Sequence, residues 1–157
     1  MSVNGIKQEV CAMKVSEVMK ESVVAASPSE SLASVSRKMQ TYGIGALPVM
    51  EADRLQGMVT DRDIVVRCIA CHHDPVKMKV SEIMSTGATC VSPEHTISEA
   101  AAKMGAAQVR RLPVVKNNQV LGIITLGDIV KEKTDSEVAR ALYNISQPAS
   151  PGPVVQG

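Results

Sequence analysis

The chain has 157 residues, enough for one compact domain or for two half-domains that share a core. Its hydrophobic fraction of 45% can fill such a core, but with no Phe, no Trp and only two Tyr it has no ring surface for stacking nucleobases. Seventeen basic residues against sixteen acidic ones give a net charge of +1, which leaves no electrostatic footprint for nucleic acid or an anionic membrane.

Residues 1–13 form a polar arm without the apolar stretch of a signal peptide, and no run of the chain reaches the ~20 apolar residues of a membrane span. A cytoplasmic protein is expected. Its four cysteines (Cys11, Cys68, Cys71 and Cys90) are then expected as reduced thiols. A short helical lead-in follows at Val15 to Met19, then a strand at Val23 to Ala26. Ser27-Pro28 ends that strand and sets up a helix carrying Leu32, Val35 and Met39 at helical spacing. Two β-rich runs, Ala46 to Met50 and Gln56 to Thr60, read as a hairpin turning through Glu51-Ala52-Asp53-Arg54. A second helix is expected from Asp61 to about Cys71 and a short linker over 72–78.

From residue 79 the pattern repeats. Lys14-Val15-Ser16-Glu17-Val18-Met19 returns as Lys79-Val80-Ser81-Glu82-Ile83-Met84, a shift of 65, and the register runs without a gap over 14–66 against 79–131. Seventeen of those 53 pairs are identical, too many for chance, so the chain is an internal duplication. The second copy has its strand at Ala88 to Val91 and its helix on Ile97, Ala100 and Met104. Its hairpin, Leu112 to Val115 and Val120 to Thr125, turns through Lys116-Asn117-Asn118-Gln119, and a helix starts at Leu126. Each copy is therefore β-α-β-β-α, an α/β (α+β) unit. One such unit buries too little to stand alone, so the two copies are expected to pack sheet against sheet around one core. The expected division is an arm at 1–13, repeat 1 at 14–71, linker 72–78, repeat 2 at 79–133, a C-terminal helix at 134–146 and an unstructured Pro/Gly/Ser-rich tail at 147–157.

The chemistry-bearing motif is Gly57-Met58-Val59-Thr60-Asp61-Arg62-Asp63 with its partner Gly122-Ile123-Ile124-Thr125-Leu126-Gly127-Asp128. Both read Gly-h-h-Thr-x-x-Asp, where h is apolar, at a strand-to-helix junction. Free N–H groups there suit anionic oxygens, a Thr hydroxyl can donate to a phosphate or ribose oxygen, and the Asp can accept from a vicinal diol. The same spacing is close to a capping box, in which both side chains only satisfy the helix start.

The order Val-Ser-Glu-h-Met, Ser-Pro, helix, Leu-Pro-Val and Gly-h-h-Thr-x-x-Asp, present twice, resembles the tandem CBS-domain pair, or Bateman module, of the small stand-alone bacterial type. Gly45-Ala46-Leu47-Pro48-Val49, Thr60-Asp61-Arg62-Asp63-Ile64-Val65 and Val109-Arg110-Arg111-Leu112-Pro113-Val114-Val115 carry the likeness. The resemblance implies a pseudo-symmetric module with two clefts between the repeats that commonly forms a homodimer through its helices. It also implies an adenosyl ligand (AMP, ADP or ATP, NAD(H) or S-adenosylmethionine), AMP or ATP foremost, whose binding is reported to an effector protein. No cofactor is required. By the same resemblance Thr60 and Asp63 hold ribose and phosphate in one cleft and Thr125 and Asp128 in the other. Arg110 and Arg111 are expected to reach the phosphate of the Thr60/Asp63 cleft, and Val24, Ala25, Thr89 and Cys90 to wall the adenine.

Rival readings remain. Cys68, Cys71, His72 and His73 lie close enough in sequence to ligate zinc, against a plain reading of Cys68 as core and the histidines as linker. Cys68-Ile69-Ala70-Cys71-His72 also matches the covalent haem motif, which needs export to an oxidising compartment. No nucleophile-base pair, Gly-x-Gly-x-x-Gly or P-loop lysine points to an enzyme. A structural dimerisation module with vestigial sites is the third possibility.

Overall fold

The computed structural model describes residues 12–132; the expected helix over 134–146, the tail over 147–157 and nearly all of the N-terminal arm lie outside the described residues. In chain order the elements are α1 (Val15–Val18), α2 (Leu32–Tyr42), β1 (Ala46–Glu51), β2 (Arg54–Thr60), α3 (Asp61–Ile64), a π turn (Val65–Ile69), a 3-10 turn (Val80–Glu82), α4 (Ile97–Ala107), β3 (Arg111–Lys116), β4 (Gln119–Thr125) and α5 (Leu126–Glu132). Residues 24–88 make one compact unit, and residues 12–23 with 89–132 make the other.

The two long helices start on side-chain caps. Ser31 Oγ accepts from Ser34 N at 3.2 Å to open α2. Thr96 and Glu99 form a reciprocal box that opens α4, with Thr96 N donating to Glu99 Oε2 at 2.7 Å. The expected inward stripes are seen: Leu32, Val35 and Met39 on α2, and Ile97, Ala100 and Met104 on α4. The α2 helix stops at Gly43, whose φ of 63° is a conformation glycine adopts without strain, and α4 stops at Gln108 in the same conformation.

The hairpins are longer and tighter than the sequence suggested. β1 pairs with β2, and β3 with β4, through two-residue turns at Ala52-Asp53 and Asn117-Asn118, all four residues at positive φ. That is the twist-compatible hairpin turn, and it draws residues 51, 54, 116 and 119 into the strands. Each hairpin carries a register shift, after Val49 and after Val114. The strands expected at Val23 to Ala26 and Ala88 to Val91 shrink to single parallel bridges, Ala26 to Val49 and Val91 to Val114, so each sheet has two strands. The helix expected over Asp61 to Cys71 is α-helical only to Ile64 and then widens into the π turn.

Each unit holds an apolar core of its own. Each is completed by the lead-in of the other copy. Val80 and Ile83 are buried with Ala26, Leu32, Val35, Leu47, Val49 and Val59, whereas Val15 is buried with Val91, Ile97, Leu112, Val114 and Ile124. Backbone bonds fix the exchange: Val80 N donates to Glu30 O at 2.9 Å, and Val15 N to His95 O at 2.8 Å. Further along, Ser85 pairs with Met58 and Lys20 with Ile123, each by two backbone bonds of 2.9 Å. These contacts bring the Ser85 and Lys20 carbonyls onto Gly57 and Gly122, where an added Cβ would lie 2.3 Å and 2.6 Å from the oxygens. The repeated glycine of the Gly-h-h-Thr-x-x-Asp motif is thus a close-approach residue. No helix among the described residues is long and apolar enough to cross a membrane.

Lysines recurring at the same shift tie down the segments that precede each Ser-Pro. Lys38 Nζ donates to Ala25 O at 2.9 Å and to Glu30 Oε2 at 2.8 Å, and Lys103 Nζ donates to Cys90 O at 3.2 Å. Partial burial would raise the Glu30 pKa, but the Lys38 ammonium, the Ser34 hydroxyl and the Ser27 N–H outweigh it and hold the carboxyl below its ordinary value.

Two predictions follow from this packing. Gly57→Ala should destabilise the chain by about 2 kcal/mol or more, because the opposing atom is backbone and cannot swing aside. Denaturant unfolding reads this, and an unchanged midpoint would contradict it. Lys38→Met should cost about 1 kcal/mol at neutral pH. A carboxyl depressed in the folded state stabilises above its unfolded pKa of ~4.3 and loses that contribution as pH falls through the folded value. The gap between wild type and Lys38→Met should therefore close on acidification below pH ~4, as thermal melts across pH will show.

Candidate functional site

At the end of β2 the chain leaves extended geometry at Thr60 (φ −118°, ψ 159°) and enters α3. Thr60 Oγ1 accepts from Asp63 N at 3.1 Å, and Thr60 N donates to Asp63 Oδ2 at 2.9 Å. The second copy repeats the arrangement. Asp128 N donates to Thr125 Oγ1 at 3.2 Å, and Asp128 Oδ2 accepts from Thr125 N at 2.9 Å and from Thr125 Oγ1 at 2.8 Å. Both motifs are therefore capping boxes, and the structural alternative weighed for Thr-x-x-Asp is realised in full.

Capping uses only one oxygen of each carboxylate. Asp63 Oδ1 lies 3.8 Å from Arg67 Nε, and Asp128 Oδ1 lies 3.4 Å from Lys20 Nζ. The two side chains are only 16% and 12% exposed, so the cap and the neighbouring cation together fix the carboxylate's orientation. A carboxylate fixed through one oxygen can accept a hydrogen bond from a hydroxyl at the other, beside or in place of the cation, without first losing freedom.

The remaining residues divide between the two units. Val24 and Ala25 are half-buried in the unit of Thr60 and Asp63, with Val24 packed on its core. Thr89, which is exposed, and Cys90, half-buried, share the other unit with Arg110, Arg111, Thr125 and Asp128. In that unit Arg111 stands opposite Thr125 in the strand pair, and the Arg110 carbonyl accepts from Leu126 N at 2.8 Å. Burial first, and then the neighbouring Arg110, push the Arg111 guanidinium below its ordinary pKa, while Asp128 pulls it back up.

Lys20 was not singled out from the sequence. The signal was available, since the shift of 65 aligns it with Ser85, but its approach to Asp128 depends on the lead-in exchange. Asp61 was likewise passed over: its carboxylate lies over Gly45, where an added Cβ would come 2.7 Å from Oδ2. Arg67 is tied to the lead-in of its unit by a 2.7 Å bond from Nη1 to Ile83 O.

The Cys-His segment is built differently from a metal centre. Cys68 is fully buried in the core and its thiol reaches His73 O at 3.4 Å, whereas Cys71 is exposed with its thiol 3.6 Å from Val66 O. Burial, reinforced by the charge of Asp74, pushes the Cys68 pKa up. His72 and His73 are exposed. Among the described residues no three His, Cys, Asp or Glu side chains are grouped to hold an ion.

Comparison with known proteins agrees with the duplicated architecture. The CBS domain-containing protein YhcV of Bacillus subtilis is 37% identical over 133 residues, 84% of this chain and 94% of that protein. The crystal structure of Hypoxic Response Protein I with two coordinated zinc ions is similar at 33% identity and a TM-score of 0.70, covering 76% of this chain and 98% of that one. The CBS domain pair of protein MJ0100, in complex with 5′-methylthioadenosine and S-adenosyl-L-methionine, shares the fold at 23% identity and a TM-score of 0.67, over 76% of this chain and 94% of that one. The CBS domain profile itself matches residues 15–69 and 80–135, so that the two copies found by self-comparison are two CBS domains in tandem and the chain belongs to that family.

Proposed function

We propose that this protein is a regulatory module that binds an adenosine-containing ligand and passes its occupancy to a separately encoded effector, acting by binding and not by catalysis. The ligand class comprises AMP, ADP and ATP, with NAD(H) and S-adenosylmethionine as further members. The observation that supports the reading is the second oxygen of Asp63 and of Asp128, which the cap does not use and which faces a cation, Arg67 Nε at 3.8 Å and Lys20 Nζ at 3.4 Å. Such an oxygen suits a ribose hydroxyl, and the Thr60 and Thr125 hydroxyls beside it suit a neighbouring ribose or phosphate oxygen. Val24, Ala25, Thr89 and Cys90 are the proposed adenine contacts. The Ala25 and Cys90 carbonyls are held by Lys38 and Lys103, which fixes the backbone of both segments and supports that assignment. The two adenosyl ligands of MJ0100 are consistent with the ligand class on this fold.

The cap supplies the control that a binding test needs. Asparagine at position 63 or 128 retains an acceptor for the Thr N–H but loses the charge, so the fold is preserved. AMP, ATP, NAD and S-adenosylmethionine should be titrated in turn by calorimetry and thermal shift. At least one is expected to raise the melting temperature, since a ligand at 100 times its Kd stabilises by about 2.7 kcal/mol. Asp63→Asn combined with Asp128→Asn should weaken that ligand about tenfold or more, with the unliganded melting temperature nearly unchanged. No shift with any of the four, or full affinity in the double variant, would defeat the proposal.

The proposal includes a homodimer. Val65, Val66 and Ile69 are 57%, 49% and 51% exposed on the π turn, more apolar surface than a helix start needs to show water. Sedimentation equilibrium should give twice the chain mass, reduced to one chain in Val66→Asp combined with Ile69→Asp. A wild-type monomer at every concentration would remove the dimer from the proposal.

A further inference from the structure

The oxygen that each cap leaves over faces a cation, and the two cations come from different elements. Lys20 Nζ lies 3.4 Å from Asp128 Oδ1, and Arg67 Nε lies 3.8 Å from Asp63 Oδ1. At the shift of 65, Lys20 corresponds to Ser85 and Arg67 to Glu132, so neither cation recurs in the other copy. What they share is a destination. Lys20 belongs to the lead-in that follows α1, and two backbone bonds of 2.9 Å pair it with Ile123. Arg67 stands on the π turn, and its Nη1 donates at 2.7 Å to Ile83 O, in the lead-in that buries Val80 and Ile83 in that unit's core. In each unit one cation therefore joins the junction carboxylate to the docked lead-in.

The join is asymmetric. The carboxylate is capped and nearly buried, whereas the Lys20 and Arg67 side chains are 66% and 51% exposed. A cation that exposed can turn into water at small cost, so such a pair shifts an equilibrium only a few-fold. A hydroxyl arriving at Oδ1 competes with the cation for the same oxygen. The cation yields first. Each lead-in then runs straight on into the other unit, from residue 23 to 24 and from residue 88 to 89.

We propose that Lys20 and Arg67 are positioning residues that couple occupancy of the junction carboxylates to lead-in docking: a ribose hydroxyl that takes Oδ1 displaces the cation and loosens the lead-in that it holds. The inference rests on the adenosine reading above and adds how occupancy leaves the site. The loosened chain is the one that continues to Val24 and Ala25 after Lys20, and to Thr89 and Cys90 after Ile83 and Ser85. Coupling of this kind is reciprocal, so deleting the cation must loosen the lead-in and tighten the ligand by comparable factors. A cation that merely touched the ligand would weaken binding on deletion, and a merely structural one would leave binding unchanged.

Amide hydrogen exchange and calorimetry on the full chain test both halves. Adenosine is the probe, because it carries the ribose diol and no phosphate for a cation to meet. Without ligand, Lys20→Met should speed exchange at the Lys20 and Ile123 amides about threefold, and Arg67→Met at the Ser85 and Met58 amides. Saturating adenosine should speed exchange at the same amides in wild type, and each variant should bind adenosine about threefold more tightly at its own junction. Unchanged ligand-free exchange in both variants, or a rise shared equally by α2 and α4, overturns the inference whatever adenosine does. Adenosine that slows exchange at these amides, or binds the variants no better than wild type, overturns it while the adenosine reading stands. Failure of adenosine to bind any of the three proteins also overturns it, and the adenosine reading is then decided by the four compounds titrated above.

Discussion

The fold depends on two places where backbone meets backbone with nothing between. The Ser85 and Lys20 carbonyls sit on Gly57 and Gly122 so closely that no larger residue fits. That approach gives each two-stranded hairpin a third backbone partner, through Met58 and Ile123. It also carries Val80 and Ile83 into one core and Val15 into the other. A unit of about fifty residues with two strands buries too little apolar surface to hold together. The exchanged lead-in supplies the missing wall, and so neither core is made by one copy of the repeat alone.

Self-comparison of the sequence made the duplication, the inward helix stripes and the junction motif legible, because each is a local or periodic property of the chain. The exchange of lead-ins was not legible. Val15 and Val80 occupy identical positions in identical local sequence, and nothing nearby says which core each will enter. The hairpin turns were misjudged for a related reason. Ala52-Asp53 lacks the glycine that advertises a two-residue turn, and only pairing with the opposite strand forces Ala52 to a φ of 49°. The first strand of each copy was overestimated because a β-branched run before Ser-Pro looks the same whether it joins a ladder or makes one bridge.

At the junction, capping and ligand binding had been weighed as alternatives, but they make different demands on the same side chain. A helix start needs one acceptor for one N–H, and a carboxylate has two oxygens. Asp63 accepts from Thr60 N at Oδ2, Asp128 accepts from Thr125 N at Oδ2, and the other oxygen faces a cation in each. The cap therefore orients the group for any other use. An inherited Thr-x-x-Asp is compatible with a working site or a purely structural one, and the sequence motif alone does not separate the two.

The neighbours of the cap are free to diverge because their structural task belongs to the backbone. Gly45 O accepts from Asp61 N at 2.9 Å, and Arg110 O accepts from Leu126 N at 2.8 Å, a bond that is indifferent to every side chain involved. Lys20 and Ser85 hold their strands by peptide groups in the same way. The residues that the geometry does constrain, Gly57, Gly122 and the Thr–Asp pairs, are those whose side chains or lack of them make it. Between the two sets, the chain keeps one architecture in duplicate while Asp61 stands where the other copy has Leu126, and Gly45 and Ala46 stand where it has Arg110 and Arg111.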